Sequence, residues 1–179
     1  MRTDRLILRP WRTEDLALFR LINADSEVMA WMPSTLDAEK SDAQALRMMD
    51  DMAVRGWGLW AVELPGAADF VGYVGLNEPA ETMPFQSSRQ PCVELAWRLD
   101  RRFWGRGIAS EAARAALGFA FARLNLSEVV AYTVPENRRS RAVMERIGMV
   151  RDDQGDFDHP LLPEGHRLCR HVLYRKARP

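Results

Sequence analysis

Cysteine and histidine are both scarce in this chain. Its two cysteines, Cys92 and Cys169, lie far apart with no CxxC partner. That excludes a disulfide framework and a cysteine-based zinc site, and it makes a reducing compartment the default. The three histidines, His159, His166 and His171, fall late in the chain at a spacing that suits no familiar metal site, so no metal is expected. No stretch approaches the roughly 18 apolar residues of a membrane span. The opening MRTDRLILRPW places charge through its only short apolar run and does not read as a signal peptide. Net charge is missing too. Lys+Arg and Asp+Glu balance at 25 each, so no global field draws the molecule to nucleic acid or an anionic membrane. A cytoplasmic protein is expected, with neither as partner.

What is present is ordinary globular composition, 47% hydrophobic and 28% charged over 179 residues, enough for one domain with a core spanning about residues 4–175. Residues 5–9 (RLILR) read as a short strand stopped by Pro10. Thr13 is positioned to cap a helix through Leu16, Phe19 and Ile22, with Glu14 and Asp15 favourable in its first turn. Asp37 starts a second helix through Leu46 and Met49, ended by Gly56. The period then shortens. Residues 58–64 and 70–76, joined through Pro65-Gly66, read as a hairpin. Residues 92–99 alternate, with Val93, Leu95, Trp97 and Leu99 on one face and Glu94, Ala96 and Arg98 on the other. A glycine-punctuated turn at 101–107 precedes a long helix from Ile108 to about Arg123. Residues 128–134 form a strand closed by Pro135. Asn137 caps a helix to Ile147, ended by Gly148. Residues 149–151 extend again, the Pro-, Asp- and Gly-rich 152–166 read as loop, and 171–175 read as a last strand. The order β-α-α-β-β-β-α-β-α-β-β implies one mixed α/β sheet with helices on its faces.

The most informative segment is Arg102-Phe103-Trp104-Gly105-Arg106-Gly107-Ile108-Ala109, between a strand and a helix. Its glycines let the backbone turn tightly and present successive N–H groups. With the positive end of the helix dipole, these amides form a pyrophosphate cradle. Arg98, Arg101 and Arg106 add nearby positive charge. The full GxGxxG fingerprint is absent, because Ser110 stands where its third glycine belongs, and so is the Walker lysine. A phosphate-bearing ligand is expected that is neither a nicotinamide dinucleotide nor a P-loop nucleotide.

At this point the chain resembles the GNAT superfamily of N-acetyltransferases. Arg102, Gly105 and Gly107 occupy the fixed positions of that family's acetyl-CoA loop, Q/R-x-x-G-x-G/A. TDRLILRPWRTEDL, GLWAVEL…FVGYVGL, VELAWRLD…GRGIASEA and ENRRSRAVMERIGMV are similar to the RimJ/RimL branch, which acetylates N-termini of ribosomal proteins. The resemblance implies a mixed, mostly antiparallel sheet with helices on both faces, splayed between its fourth and fifth strands around pantetheine. Backbone groups of Trp97 and Leu99 would face the pantetheine, and the amides of Arg102, Phe103, Trp104, Gly105, Arg106 and Gly107 the pyrophosphate. Asn137 would contact the cofactor while also capping its helix. Arg138, Arg139 and Arg141 would either reach the 3′-phosphate of CoA or form a solvated helix face.

Amine acetylation needs a neutral nucleophile and a stabilised thiolate. Glu94 matches the acidic position of the branch and is the candidate base, directly or through water. The competing reading pairs it with Arg98 as a structural strand carboxylate, and Glu63, Glu78 and Glu81 are further acids in play. Many family members place a tyrosine seven residues after the asparagine as donor to the CoA sulfur. Here that residue is Met144, and Ser140 matches the serine used in the branch. A serine hydroxyl is a weak acid, so Ser140 would hydrogen-bond the departing sulfur. Its other reading is a first-turn serine bonded to local backbone. His159 would line an acceptor pocket or stabilise its loop, and Trp31, Trp57, Trp60 and Phe85 would form the acceptor mouth or lie in the core. The expected activity is acetyl transfer from acetyl-CoA to a primary amine, either a protein N-terminus or a small molecule, by a monomer or homodimer. The rivals are a silent acyl-CoA-binding module and a nucleic-acid binder using the arginines at 138–141.

Overall fold

The apolar alternation of the strand segments is realised as one seven-stranded sheet in a computed structural model, which describes residues 1–79, 83–86 and 92–179. The strands are β1 (Ile7–Arg9), β2 (Leu59–Glu63), β3 (Gly72–Asn77), β4 (Glu94–Leu99), β5 (Glu128–Thr133), β6 (Val150–Asp158) and β7 (Arg170–Ala177). They lie in the order β1-β2-β3-β4-β5-β7-β6. Each neighbouring pair is antiparallel except β4 and β5, which run parallel. That pair registers only at Glu94 opposite Val130, supported by the Val130 amide bonding Val93 at 3.0 Å. Beyond it the two strands part. The expected mixed sheet with a splay between its fourth and fifth strands is the fold observed.

Four helices cover the sheet: α1 (Asp15–Ala24), α2 (Ala38–Arg55), α3 (Ile108–Ala122) and α4 (Arg138–Arg146). Strand periodicity separates their faces. Arg98 and its neighbour across the ladder, Tyr73, meet Phe19 of α1 and Gln44 of α2. Trp60, aligned through Val74 with Trp97, packs edge-on against Phe119 of α3. Arg114 of α3 bonds the Arg146 carbonyl, which puts α4 on the α3 side. The core is continuous across both layers, and the alanines Ala112, Ala113, Ala116 and Ala120 let α3 sit close on the strands. Among the described residues no helix is long and apolar enough to cross a membrane.

Two local readings of the sequence are corrected. Thr13 does not cap α1; Asp15 accepts the Arg12 amide at 2.7 Å and is held by Arg9. The amides a Thr13 hydroxyl would cap turn to backbone instead: that of Asp15 bonds the Arg12 carbonyl at 3.1 Å and that of Leu16 the Thr13 carbonyl at 3.2 Å. Residues 152–158 are not loop but the greater part of β6. β6 is the edge strand, so little of it is buried and the apolar alternation of an inner strand is missing. Elsewhere the caps fall as expected: Asp37 accepts the Lys40 amide, and Gly56 closes α2 at φ 75°.

Candidate active site

The parting of β4 and β5 opens a cavity of about 560 Å³ that reaches both faces of the sheet. On the α3/α4 side its wall includes Trp97, Phe103, Trp104, Gly105 and Gly107, then Asn137 and Ser140 of the α4 start. On the α1/α2 side it is bounded by Glu27, Val28, Trp31, Met32 and Arg98. Leu99 joins the wall between them.

The glycine loop has the backbone its sequence demands. Gly105 and Gly107 sit at φ 74° and 76°, where a side chain is strained, and a Cβ on Gly105 would meet nothing within 4 Å. Not every amide of the loop is free. Asp100 takes the Arg102 amide on its carboxylate and the Phe103 amide on its carbonyl, and Arg101 takes that of Trp104. Gly107 begins α3 without a side-chain cap. Among the described residues the amides from Gly105 to Ser110 bond no protein group, so the free N–H groups are those of the second half of the loop and the first turn of α3. The side chains of Arg102 and Arg106 stand outside the cavity wall: Arg102 grips Asp100 at 2.6 Å, and Arg106 lies over Phe103. Of the other arginines grouped with the loop by sequence, Arg101 is paired with Asp25 and Glu27, and Arg98 points to the opposite face.

A latch from the N-terminus holds this loop. Arg5 bonds the Arg106 carbonyl at 3.0 Å and pairs with Glu111 of α3, whose carboxylate also accepts the Thr3 hydroxyl at 2.6 Å. Sequence reading missed the latch, because its partners lie over a hundred residues apart.

At the α4 start Asn137 accepts the Ser140 amide at 3.2 Å and donates to Thr133 at 3.0 Å, tying β5 to the helix. The Ser140 hydroxyl itself has no partner among the described residues and faces the cavity. The three arginines here divide. Arg139 stacks over Trp104 at 4.6 Å, across the cavity from its own helix. Arg141 is bound to Tyr174 and the Pro135 carbonyl, and with Arg138 it borders a separate recess.

Glu94 stands at the vertex of the splay, outside the cavity wall proper. Its partner is not Arg98. Tyr132 of β5 donates its hydroxyl to the Glu94 carboxylate at 2.9 Å, bridging the strands where the backbone ladder stops, and Asn77 bonds it as well. Burial pushes the Glu94 carboxyl above the usual carboxylate range, and the two bonds lower it without cancelling that rise. The rival acids are committed or displaced: Glu63 is bound by Arg9 at 2.9 Å, Glu78 pairs with Arg55, and Glu81 lies outside the described residues. Rings of Phe85, Phe157, His159 and His171 gather around Tyr132. Burial lowers the pKa of both histidines, keeping them neutral at pH 7. Of the tryptophans offered for the acceptor mouth, Trp31 reaches the cavity, Trp57 packs at the edge of the core and Trp60 lies within it. Among the described residues no group of three or more His, Cys, Asp or Glu is placed to hold a metal ion.

The opened parallel pair, the free amides beside it and the raised carboxyl at its vertex thus lie together in one region of the fold. A family model described as an acetyltransferase (GNAT) domain matches residues 5–150. An FsC-acetyl coenzyme A-N(2)-transacetylase of Aspergillus fumigatus is 33% identical over 190 residues, covering 100% of this chain and 80% of its own. A GNAT-family acetyltransferase from Bacillus anthracis superposes with a TM-score of 0.80 at 25% identity, over 99% of this chain and 97% of that one. Spermidine N-acetyltransferase from Vibrio cholerae, solved with CoA and spermine, shares the fold at a TM-score of 0.74 and 18% identity, over 98% and 96% of the two chains. This chain belongs to the GNAT family, in its RimJ/RimL-like branch, and is an acetyl-CoA-dependent N-acetyltransferase.

Proposed function

We propose that the chain transfers acetyl from acetyl-CoA directly to a primary amine, with Glu94 as base and Ser140 as donor to the leaving sulfur. The reading rests on one observation: the cavity passes through the opened β4–β5 pair, from the free amides of Gly105–Gly107 and the unbonded Ser140 hydroxyl to the α1/α2 face. The amides hold the pyrophosphate. The backbone of Trp97 and Leu99, beyond the last residue of β4 that registers with β5, lines the pantetheine. The amine nitrogen attacks the thioester carbon, the carbon–sulfur bond breaks, and the sulfur departs as thiolate towards Ser140. The amine's proton passes to Glu94, directly or through one water from the vertex. A raised carboxyl is the better base, since its pKa lies closer to that of the amine it relieves.

The test is thiol release from acetyl-CoA against a library of amines and peptides, with products identified by mass. Amine-dependent release with one acetyl per thiol supports the reading. Tight acetyl-CoA binding with no release for any amine overturns it in favour of a silent acyl-CoA-binding module. Ser140→Ala is expected to lower kcat while leaving acetyl-CoA affinity within about twofold, because the bond strengthens only as charge develops on sulfur.

A further inference from the structure

Two arginines are buried among the described residues, and they are treated differently. Arg9, 7% exposed, is bonded to Asp15 at 2.7 and 2.8 Å and to Glu63 at 2.9 Å. Arg98, 8% exposed, has no carboxylate within ion-pair distance among the described residues. Its Nη1 donates to Asn23 at 2.6 Å and Gln44 at 3.1 Å, both neutral amides. Among the described residues its Nη2 meets only the thioether of Met32 at 3.4 Å, and Nε has no hydrogen-bond partner. Phe19 and Tyr73 present their rings at 5.9 and 5.6 Å. A buried guanidinium without a counterion is unfavourable, and neutral oxygens and ring faces offset only part of that cost.

This under-used cation lines the cavity. The acids of the α1–α2 connection do not neutralise it: Glu27, in the same wall, and Asp25 are both taken by Arg101 at 3.2 Å. The least-used edge is the one formed by Nε and Nη2, whose sole partner among the described residues is a thioether, a weak acceptor; such an edge receives a carboxylate through two parallel hydrogen bonds. Arg98 also lies on the α1/α2 face, opposite the amide cradle and Ser140. An anion meeting it there belongs to the acceptor rather than to the CoA phosphates.

Resting on the acetyl-transfer reading above, we propose that Arg98 binds a carboxylate of the acceptor, so that the substrate is an amino acid-type primary amine. The same charge works against polyamines, whose second ammonium would be driven towards a buried cation. Arg98 is a specificity-determining residue in this scheme. Its bonds to α1 and α2 account for its place in the fold, and the Nε–Nη2 edge accounts for its use.

The experiment compares matched acceptors at saturating acetyl-CoA: α-amino acids and ω-amino acids of increasing length, each beside its decarboxylated amine and its amide. Wild-type enzyme is expected to favour the free carboxylate at least tenfold in kcat/KM for the best-fitting length. Arg98→Met is expected to bring that ratio near one, and Arg98→Lys to restore part of it. Aminoalkyl phosphates form a further arm, and a preference for phosphate over carboxylate overturns the assignment of the anion. Equal kcat/KM for acid and decarboxylated amine in wild type overturns the proposal while leaving acetyl transfer intact. Failure of all amines overturns both. A folded Arg98→Met that loses thermal stability but keeps the carboxylate preference shows a purely structural arginine and also overturns it. Should that variant not fold, the wild-type matched pairs still decide.

Discussion

Glu94 and Tyr132 form a pair whose titration reports the mechanism. Burial raises the Glu94 carboxyl, while the bonds from Tyr132 and Asn77 lower it by favouring the charged form. If the ionised carboxylate is the base, kcat/KM falls as pH drops through the raised pKa. The acid limb then lies above the ordinary glutamate value of about 4.3. Tyr132→Phe removes a bond to the ionised form, so the pKa rises further and the limb moves to higher pH. Glu94→Gln removes that limb and costs about 10²–10⁴-fold in turnover at neutral pH, the usual scale of general base catalysis, with the deficit shrinking as the amine deprotonates unaided. A pH–rate profile of the three proteins checks this, once chemistry is shown to limit the rate. Superimposable wild-type and Glu94→Gln curves would make Glu94 structural. The motif around the fourth strand pointed to Glu94; nothing in it pointed to Tyr132, 38 residues away on a strand that reads as ordinary alternation.

At the scale of elements, the proposed function assigns the cofactor's affinity to the glycine loop and its latch. Gly107→Val places a branched side chain at φ 76° and sets its Cβ 3.5 Å from the Arg5 guanidinium, so it strains the loop backbone and crowds the latch that holds it. Acetyl-CoA affinity by calorimetry is expected to fall well over tenfold, with backbone strain of roughly 1–2 kcal/mol. The latch should behave differently. Arg5 is half exposed, so its pairing with Glu111 adds at most about 1 kcal/mol to stability. Its bond to the Arg106 carbonyl nevertheless fixes the loop. Arg5→Ala is expected to raise KM for acetyl-CoA about three- to tenfold with little change in melting temperature. An unchanged KM would show that the loop holds its shape alone.

The whole molecule is two half-sheets joined thinly. Among the described residues, strands β1 to β4 meet β5, β7 and β6 through one registered residue pair with its Val130–Val93 bond, the Glu94–Tyr132 bond, the ring of Phe85 against Tyr132 and Phe157, and the packing of α3 and α4. A ligand seated in the splay binds both halves at once and has no site in the unfolded chain. At about 100 times its Kd, acetyl-CoA should add about 2.7 kcal/mol, or about 5–10 °C in melting temperature for a chain of this size. A thermal melt with and without cofactor reads this directly, and Gly107→Val should cut the shift to half or less at the same concentration.

The sequence by itself determined the element order, the strand-to-helix glycine loop and the caps at Asp37, Asn137 and Gly56, because each depends on residues close in the chain. Motif resemblance added the family and the parting of the fourth and fifth strands. Tertiary structure decided the pairings. It gave Glu94 to Tyr132 instead of Arg98, sent Arg101 to Asp25 and Glu27, and made an edge strand of residues 152–158, whose polarity reads locally as loop. It alone set apart the two buried arginines, because a counterion is a neighbour in space. Arg9 finds its own at Asp15 and Glu63, and among the described residues Arg98 is left at the cavity without one.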